Sequence, residues 1–535
     1  MDNHNVGMTL EEQIGQLLMV GFWGNTPSQE IIDLIQRYHV GNILLFSRNV
    51  RDAQQVLELT QRLQMIAKEA GQRYPLLIAI DQENGIVQRL GEAVTIFPGN
   101  MALGAIGTEE MAYKVASATG QELKALGITM NLAPVVDINN NPANPVIGVR
   151  SFGEDPQQVA RLGAAMVKGY HATGILSCLK HFPGHGDTAV DSHLALPMIP
   201  STLERLTAVE LLPFRSGIKA GAESVMLAHI SFAALTEHDT LPATLTPAIA
   251  QGLLREKLGF NGVILSDCME MKAISVTFGT ERAAVMALQA GVDLVLVSHR
   301  YTRQRGSIEA IQAAVQTEEL SLQMVQRAAE NVQRLKARSL SWNDVPTTRT
   351  VPAIIGCEKH VHLQSQAYEQ STTLVRNDEA LLPLRLNSGE RIVVLSPQRN
   401  TMTMVEDRYY SDNLLADILQ QHHSAVEIKS VAPGPVEDAC KKLLQTTSES
   451  DLLMVATVNA HLDEQQAELV RRLVSSGLRI VVMAVRNPYD LLAFPQLRTY
   501  LVTYEYTRPA LVAAARVLFG EKKAQGHLPV TLCLD

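Results

Sequence analysis

The chain has 535 residues, too many for one ordinary domain; at roughly 150 residues per domain it holds three or four, or two if one is a large α/β barrel. It carries 46 Lys and Arg against 55 Asp and Glu, a formal net charge of −9, which argues against a general affinity for nucleic acid or anionic membrane because both need a basic field. Hydrophobic residues make up 46%, as in a globular chain, and aromatic residues only 5%, which disfavours a long cleft paved with aromatic rings.

Short β-branched runs alternate with helical stretches up to about residue 300. Strands are predicted at 16–22, 42–47, 76–81, 130–137, 177–182, 224–230, 263–267 and 294–298. These runs are continuous and apolar, as in parallel strands buried on both faces. Amphipathic segments such as 50–70 and 109–126 separate them, and a helical stretch follows at 307–339. Eight strands in βα alternation match an N-terminal (β/α)8 TIM-like barrel over 1–340, with a doubly wound sheet as the competing arrangement.

Residues 341–352 are polar, contain proline and lack periodicity, so they read as a linker. Residues 353–535 predict a smaller C-terminal α/β layered domain. Its strands are expected at 391–396, 451–457, 479–485 and 499–505, with helices at 413–422, 461–475 and 508–519. No GxGxxG follows a strand and no GxxxxGK[ST] occurs, so nothing points to a bound nucleotide.

The five cysteines, Cys178, Cys268, Cys357, Cys440 and Cys533, are odd in number and contain no CxxC, which disfavours a disulfide framework or a zinc ribbon. The start, MDNHNVGMTLEEQIGQ, has no basic segment followed by an apolar core, and no window approaches 18 uninterrupted apolar residues. A secretory signal and a membrane span are disfavoured, and the expected location is cytoplasmic.

In a (β/α)8 barrel, catalytic groups occupy the C-terminal ends of the strands. The third strand ends in Asp81, followed by Gln82 and Glu83; the fourth ends in Asp137; the fifth runs into Lys180 and His181; the sixth reaches His229; the seventh ends in Ser266 and Asp267. Five polar ends around one mouth suit a small polyhydroxylated ligand better than an apolar one. Taken singly, each could simply cap the following helix.

The densest stretch is KHFPGHGDTAVDSH, 180–193. Its Pro183, Gly184 and Gly186 exclude a regular helix, so Lys180 and His181 lead into a loop. Asp191 and His193 stand two apart, and in a bent loop the carboxylate can orient the imidazole and raise its basicity for acid/base work. A metal site built from His181, His185, Asp187 and His193 is the alternative; the missing HExxH and the broken helical spacing count against it. Asp267, in GFNGVILSDCMEM, is open to the roles of base, nucleophile or metal ligand. Paired with a histidine acid across the mouth, it makes a double-displacement system.

With these motifs assembled, the chain resembles glycoside hydrolase family 3, and within it the NagZ-type β-N-acetylglucosaminidases. KHFPGHGDT followed by DSH carries most of the match, with IAIDQENGIVQRL at 78–90, VIGVRSFGEDP at 146–156 and GFNGVILSDCMEM at 259–271. RNPYDLLAF at 486–494 resembles the family's C-terminal α/β domain more weakly.

The resemblance implies a retaining, exo-acting β-N-acetylhexosaminidase that removes terminal GlcNAc from small glycans, muropeptides or chitin oligosaccharides, without cofactor or metal. It implies Asp267 as nucleophile and His193, oriented by Asp191, as acid/base. Asp81, Arg89, Arg150, Lys180 and His181 are implied as substrate-binding residues. Asn84 departs from the family, which usually has Gly there. Cys268 stands where the β-glucosidase branch typically has Trp, which favours the glucosaminidase branch. A β-glucosidase or a β-N-acetylglucosaminide phosphorylase on the same barrel remains open, since a histidine acid repels an incoming phosphate less than a carboxylate would. The expected partner is a small glycan, with neither nucleic acid nor membrane.

Overall fold

The protein is described by a computed structural model covering residues 7–534, except 189–195, 236–240, 397–402, 404, 408–409 and 431–434. Its N-terminal part is a closed barrel of eight parallel strands: β1 (Leu18–Val20), β2 (Asn42–Leu45), β3 (Leu77–Ile80), β4 (Met130–Asn131), β5 (Leu176–Phe182), β6 (Ser224–Leu227), β7 (Val263–Cys268) and β8 (Leu294–Val297). Each overlaps one predicted strand. Consecutive strands are neighbours, and β1 pairs with both β2 and β8 to close the ring. The doubly wound alternative is thereby excluded.

The apolar runs are continuous because both faces of each strand are buried. Alternate residues such as Met19, Leu44, Met130, Met226 and Leu265 fill the interior, where Val332 and Leu335 pack against them. The intervening residues, such as Leu18, Ile43, Ile78 and Ile264, pack outward on the helices. Helices α1 (Asn100–Ile106) and α2 (Glu109–Ala125) follow the third strand. Thr108 caps α2 by accepting from Met111 N, and Glu109 and Glu110 complement the helix dipole. The predicted stretch 307–339 is two helices, α3 (Tyr301–Gln316) and α4 (Leu322–Ser339). Glu318, with φ of 60°, breaks them apart.

Past the predicted linker, helix α5 (Glu358–Ser371) packs against α1 and α2 on one side and, on the other, against the late helix α6 (Arg508–Leu518). It is pinned to the barrel by His360, whose Nδ1 lies 2.7 Å from Glu122 Oε1. The C-terminal sheet comprises β9 (Thr373–Asn377), β10 (Ile392–Leu395), β11 (Val426–Lys429), β12 (Leu452–Thr457), β13 (Arg479–Ala484) and β14 (Thr499–Val502). The order is β9-β14-β13-β12-β10-β11, with β9 alone antiparallel. One face buries Val393, Leu453, Val482 and Tyr500 in a cluster shared with Met101, Ala102 and Val149 of the barrel. The opposite face packs Val394, Met454 and Met483 against Leu511 and Leu518. The predicted set omits β9 and β11. Both are edge strands carrying charged or polar residues, as exposed edges generally do, so their apolar signal is weak.

Candidate active site

A polar cleft opens at the C-terminal ends of the barrel strands. It is lined by Asp81, Arg89, Arg150, Lys180, His181 and Asp267, together with Glu83 and His185. Six of the eight residues implied by the resemblance therefore meet in one cavity. The other two, Asp191 and His193, lie outside the described residues. Before them in the sequence, His185 and Thr188 are joined through Nδ1 and Oγ1 at 3.1 Å.

Lys180, near the end of β5, donates from Nζ to Asp81 Oδ1 at 2.6 Å and lies 2.7 Å from Glu83 Oε1. Arg150 meets Glu83 in a two-pronged pair, Nε to Oε2 at 2.9 Å and Nη2 to Oε1 at 2.8 Å. Burial works against ionisation of Glu83, but Arg150 and Lys180 outweigh it and hold the carboxyl well below the usual carboxylate range. Glu83 was legible only as a polar neighbour of Asp81, and the structure makes it the hub on which both cations are set.

The polar strand ends do not all face the cleft. Asp137 is buried behind it and orients His181: Oδ2 lies 2.7 Å from His181 Nδ1, and Oδ1 accepts from the backbone N of His181 at 3.1 Å and of His185 at 2.8 Å. Arg150 Nη2, a donor only, lies 3.4 Å from His181 Nε2, so the ring proton belongs on Nδ1, facing Asp137. His185 is held neutral, its pKa lowered to about 4 by burial and the neighbouring His181. Among the described residues no group of three or more His, Cys, Asp or Glu side chains is placed to hold a metal ion.

Asp267, one residue before the end of β7, stands at the cleft wall, its Oδ1 accepting from Cys268 N at 2.7 Å. His229 supports this segment from behind, with Nε2 at 3.0 Å from Cys268 O and Nδ1 at 2.8 Å from Thr244 Oγ1. A carbonyl only accepts, so Nε2 carries the proton. Burial raises the Cys268 thiol to about 11, which keeps it protonated beside Asp267.

Asn84, the departure from the family pattern, has φ of 69°, and Gly85 follows at 62°. The left-handed region favours Gly, and Asn is among the few other residues that tolerate it. A Cβ on Gly85 would lie 2.7 Å from Gly99 Cα, so this turn needs a bare backbone there.

The C-terminal domain reaches the cleft through Val405, Glu406 and Asp407. Arg89 Nη1 donates to Asp407 Oδ2 and to Val405 O, both at 2.8 Å, and Asp407 Oδ2 also accepts from Gln88 N at 3.1 Å. Arg89 thus lines the cleft while tying the two domains together. Glu406 pairs with Arg486. Asn487 packs against Gly148 of the turn that carries Arg150; a Cβ on that glycine would stand 2.5 Å from Asn487 Oδ1. Tyr489 OH accepts from Asn139 Nδ2 at 2.9 Å. His461, 2.8 Å from Asp490 Oδ1, also lies 3.0 Å from Pro142 O. The RNPYD segment therefore braces the loop between β4 and Arg150.

This barrel, with a carboxylate-and-cation mouth backed by a second α/β domain, defines a glycoside-hydrolase architecture, and comparison agrees. The glycosyl hydrolase family 3 N-terminal domain matches residues 9–335 and that family's C-terminal domain matches 372–534, so the chain belongs to glycosyl hydrolase family 3. It is 33% identical to Beta-hexosaminidase A of Pseudoalteromonas piscicida over 98% of both chains. A solved family 3 β-N-acetylglucosaminidase from Paenibacillus sp. str. FPU-7 is 40% identical, with a TM-score of 0.92 over 99% of this chain and 100% of that one. A fungal multi-domain family 3 β-N-acetylglucosaminidase is 41% identical, with a TM-score of 0.91 over 98% of this chain and 61% of that one.

Proposed function

We propose that this chain is a retaining, exo-acting β-N-acetylglucosaminidase that releases terminal GlcNAc from muropeptide fragments or chitin oligosaccharides. The observation that carries the proposal is the placement of Asp267 in the same cleft as the Asp81–Lys180 pair and Arg150, a set suited to gripping sugar hydroxyls around an attackable carbon. The relatives named above support the GlcNAc specificity. Five free cysteines favour a reducing compartment, which fits cytoplasmic recycling of cell-wall fragments. Among the described residues no helix is long and apolar enough to cross a membrane.

In the first step an Asp267 oxygen attacks the anomeric carbon. The bond from that carbon to the leaving oxygen breaks, its electron pair stays on the oxygen, and the His193 imidazolium protonates it. In the second step His193 takes a proton from water, the water oxygen attacks the same carbon, and the bond to Asp267 breaks. Two inversions give retention. Asp81, Lys180, Arg150 and His181 hold the sugar throughout, and Asp191 fixes the His193 ring.

The test is a kinetic comparison of aryl β-GlcNAc, aryl β-glucoside and a 1,6-anhydro muropeptide, with and without phosphate. The proposal expects preference for the GlcNAc substrates, free β-GlcNAc as first product, and no sugar 1-phosphate. Glucoside preference, or a sugar 1-phosphate as product, overturns it. Full activity in EDTA is also expected, and loss there would restore the metal-dependent alternative.

A further inference from the structure

We infer that Trp23 is the stacking platform for the leaving-group sugar, a role that rests on the glycosidase reading above. Trp23 follows β1 and lines the cleft that contains Asp267, yet 64% of its surface is exposed. A lone exposed aromatic is ordinary on a protein surface. This one is fixed in place. Its Nε1 donates to His299 O at 3.2 Å, just past β8. The Arg48 guanidinium, just past β2, lies 4.7 Å from its ring centre and 4.1 Å from that of Phe46. Arg48 is itself anchored, donating from Nε to Phe22 O at 2.9 Å and from Nη2 to Ser298 O at 2.7 Å.

One face of the indole is therefore taken by the guanidinium, while the ring lines the cleft and keeps most of its surface exposed. The groups that grip hydroxyls, Lys180, His181 and Arg150, are buried at the floor. A terminal sugar seated among them must direct its leaving group toward the opening. A rigid aromatic ring there gains contact area with an apolar sugar face at little entropic cost, because its position is set in advance. The low aromatic content of the chain fits a site with one such platform rather than a paved groove.

The experiment compares N,N′-diacetylchitobiose, whose leaving group is a sugar ring, with methyl β-GlcNAc, whose leaving group has no ring. Replacing Trp23→Ala should lower the ratio of their kcat/KM values about tenfold, equivalent to about 1.4 kcal/mol. Trp23→Phe keeps a ring and should hold the ratio within roughly threefold, on the scale of ordinary aromatic contacts. A direct readout uses the only other tryptophan, Trp342, which sits away from the cleft against Arg73 O. In an Asp267→Asn, Trp342→Phe background, chitobiose should shift Trp23 emission and GlcNAc alone should not. An unchanged specificity ratio in an active enzyme, or equal emission responses to both sugars, overturns the inference. A wild-type chain inert on both glycosides would instead remove the glycosidase reading itself.

Discussion

Arg150 and Glu83 face each other two on two at the floor of the cleft, both side chains 3% exposed, and Lys180 adds a third contact to the same carboxylate. Two cations that would otherwise repel are thereby set side by side. Under the proposed function Glu83 is a positioning residue: it fixes Arg150 and Lys180, the cations proposed to hold the sugar, and leaves Asp81 beside Lys180.

Removing that charge should cost both stability and binding. Breaking a buried ion pair from one side costs about 3–5 kcal/mol because a charge is left uncompensated. Glu83→Gln is expected to weaken kcat/KM by on the order of a hundredfold, equivalent to about 2.7 kcal/mol. The folded pKa of Glu83 lies below its unfolded value of about 4.3, so its stabilisation is fully present above that pH and is lost as pH falls toward the folded value. The gap in melting temperature between wild type and Glu83→Gln should be constant from about pH 5 to 8 and should narrow in acid. A gap independent of pH down to the acid limit would show that Glu83 acts through shape alone.

Arg89 and Asp407 should behave as a unit. They are separated by 318 residues in sequence and 2.8 Å in space, both largely buried. Arg89→Ala and Asp407→Ala are each expected to reduce activity and stability, and the double variant should be little worse than either single one. The coupling in a double-mutant cycle should be about 1–3 kcal/mol. Additive losses would mean that Arg89 serves the substrate independently of the C-terminal domain.

The sequence made the barrel legible because its strands are continuous apolar runs that stop at polar residues, and those stops gave Asp81, Lys180, His181 and Asp267. It could not separate the stops that face the cleft from Asp137 and His229, which sit one layer behind and steady His181 and the Asp267–Cys268 segment. Strand position gives an address along the barrel axis, and the direction of a side chain beyond the last ladder bond is set by loop geometry. Asp407 carried no local signal, since its partner lies in the other domain. Asn84 was legible as an oddity, and its positive φ supplies the reason. The short polar strands β9 and β11 escaped because edge positions do not require an apolar pattern.

Glu505 gives the domain interface a pH dependence of opposite sign to that of Glu83. It is buried where Gly99 N and Tyr368 OH donate to it, each at 3.0 Å. Burial raises its pKa to about 7, against the opposing pull of those donors. With a folded pKa above the unfolded value of about 4.3, the protonated form is favoured by folding, so this stabilisation is present in acid and declines as pH rises through about 7. Glu505→Gln mimics the neutral form. The variant should match wild type near pH 4, below the unfolded pKa, and exceed its stability at pH 8 by on the order of 3 kcal/mol in denaturant titrations. Equal stability at both values would show that the carboxyl is already ionised in the fold.

The identity of the acid is the sharpest remaining test of the chemistry, because two candidates come from different domains. His193 is the acid that the family resemblance implies, in the barrel domain, whereas Glu406 reaches the cleft from the C-terminal domain but is paired with Arg486. Protonation matters most when the leaving group is a poor one, and positioned acids contribute roughly 10²–10⁴-fold. His193→Ala should therefore slow chitobiose cleavage by about that factor while slowing a nitrophenyl glycoside far less in its glycosylation step. It should also remove the basic limb of the kcat/KM profile, where the imidazolium is lost. Glu406→Gln should lower both substrates alike, through the loosened domain contact. The reverse pattern, with Glu406→Gln selective for the poor leaving group and His193→Ala indifferent to it, would move the acid to the C-terminal domain.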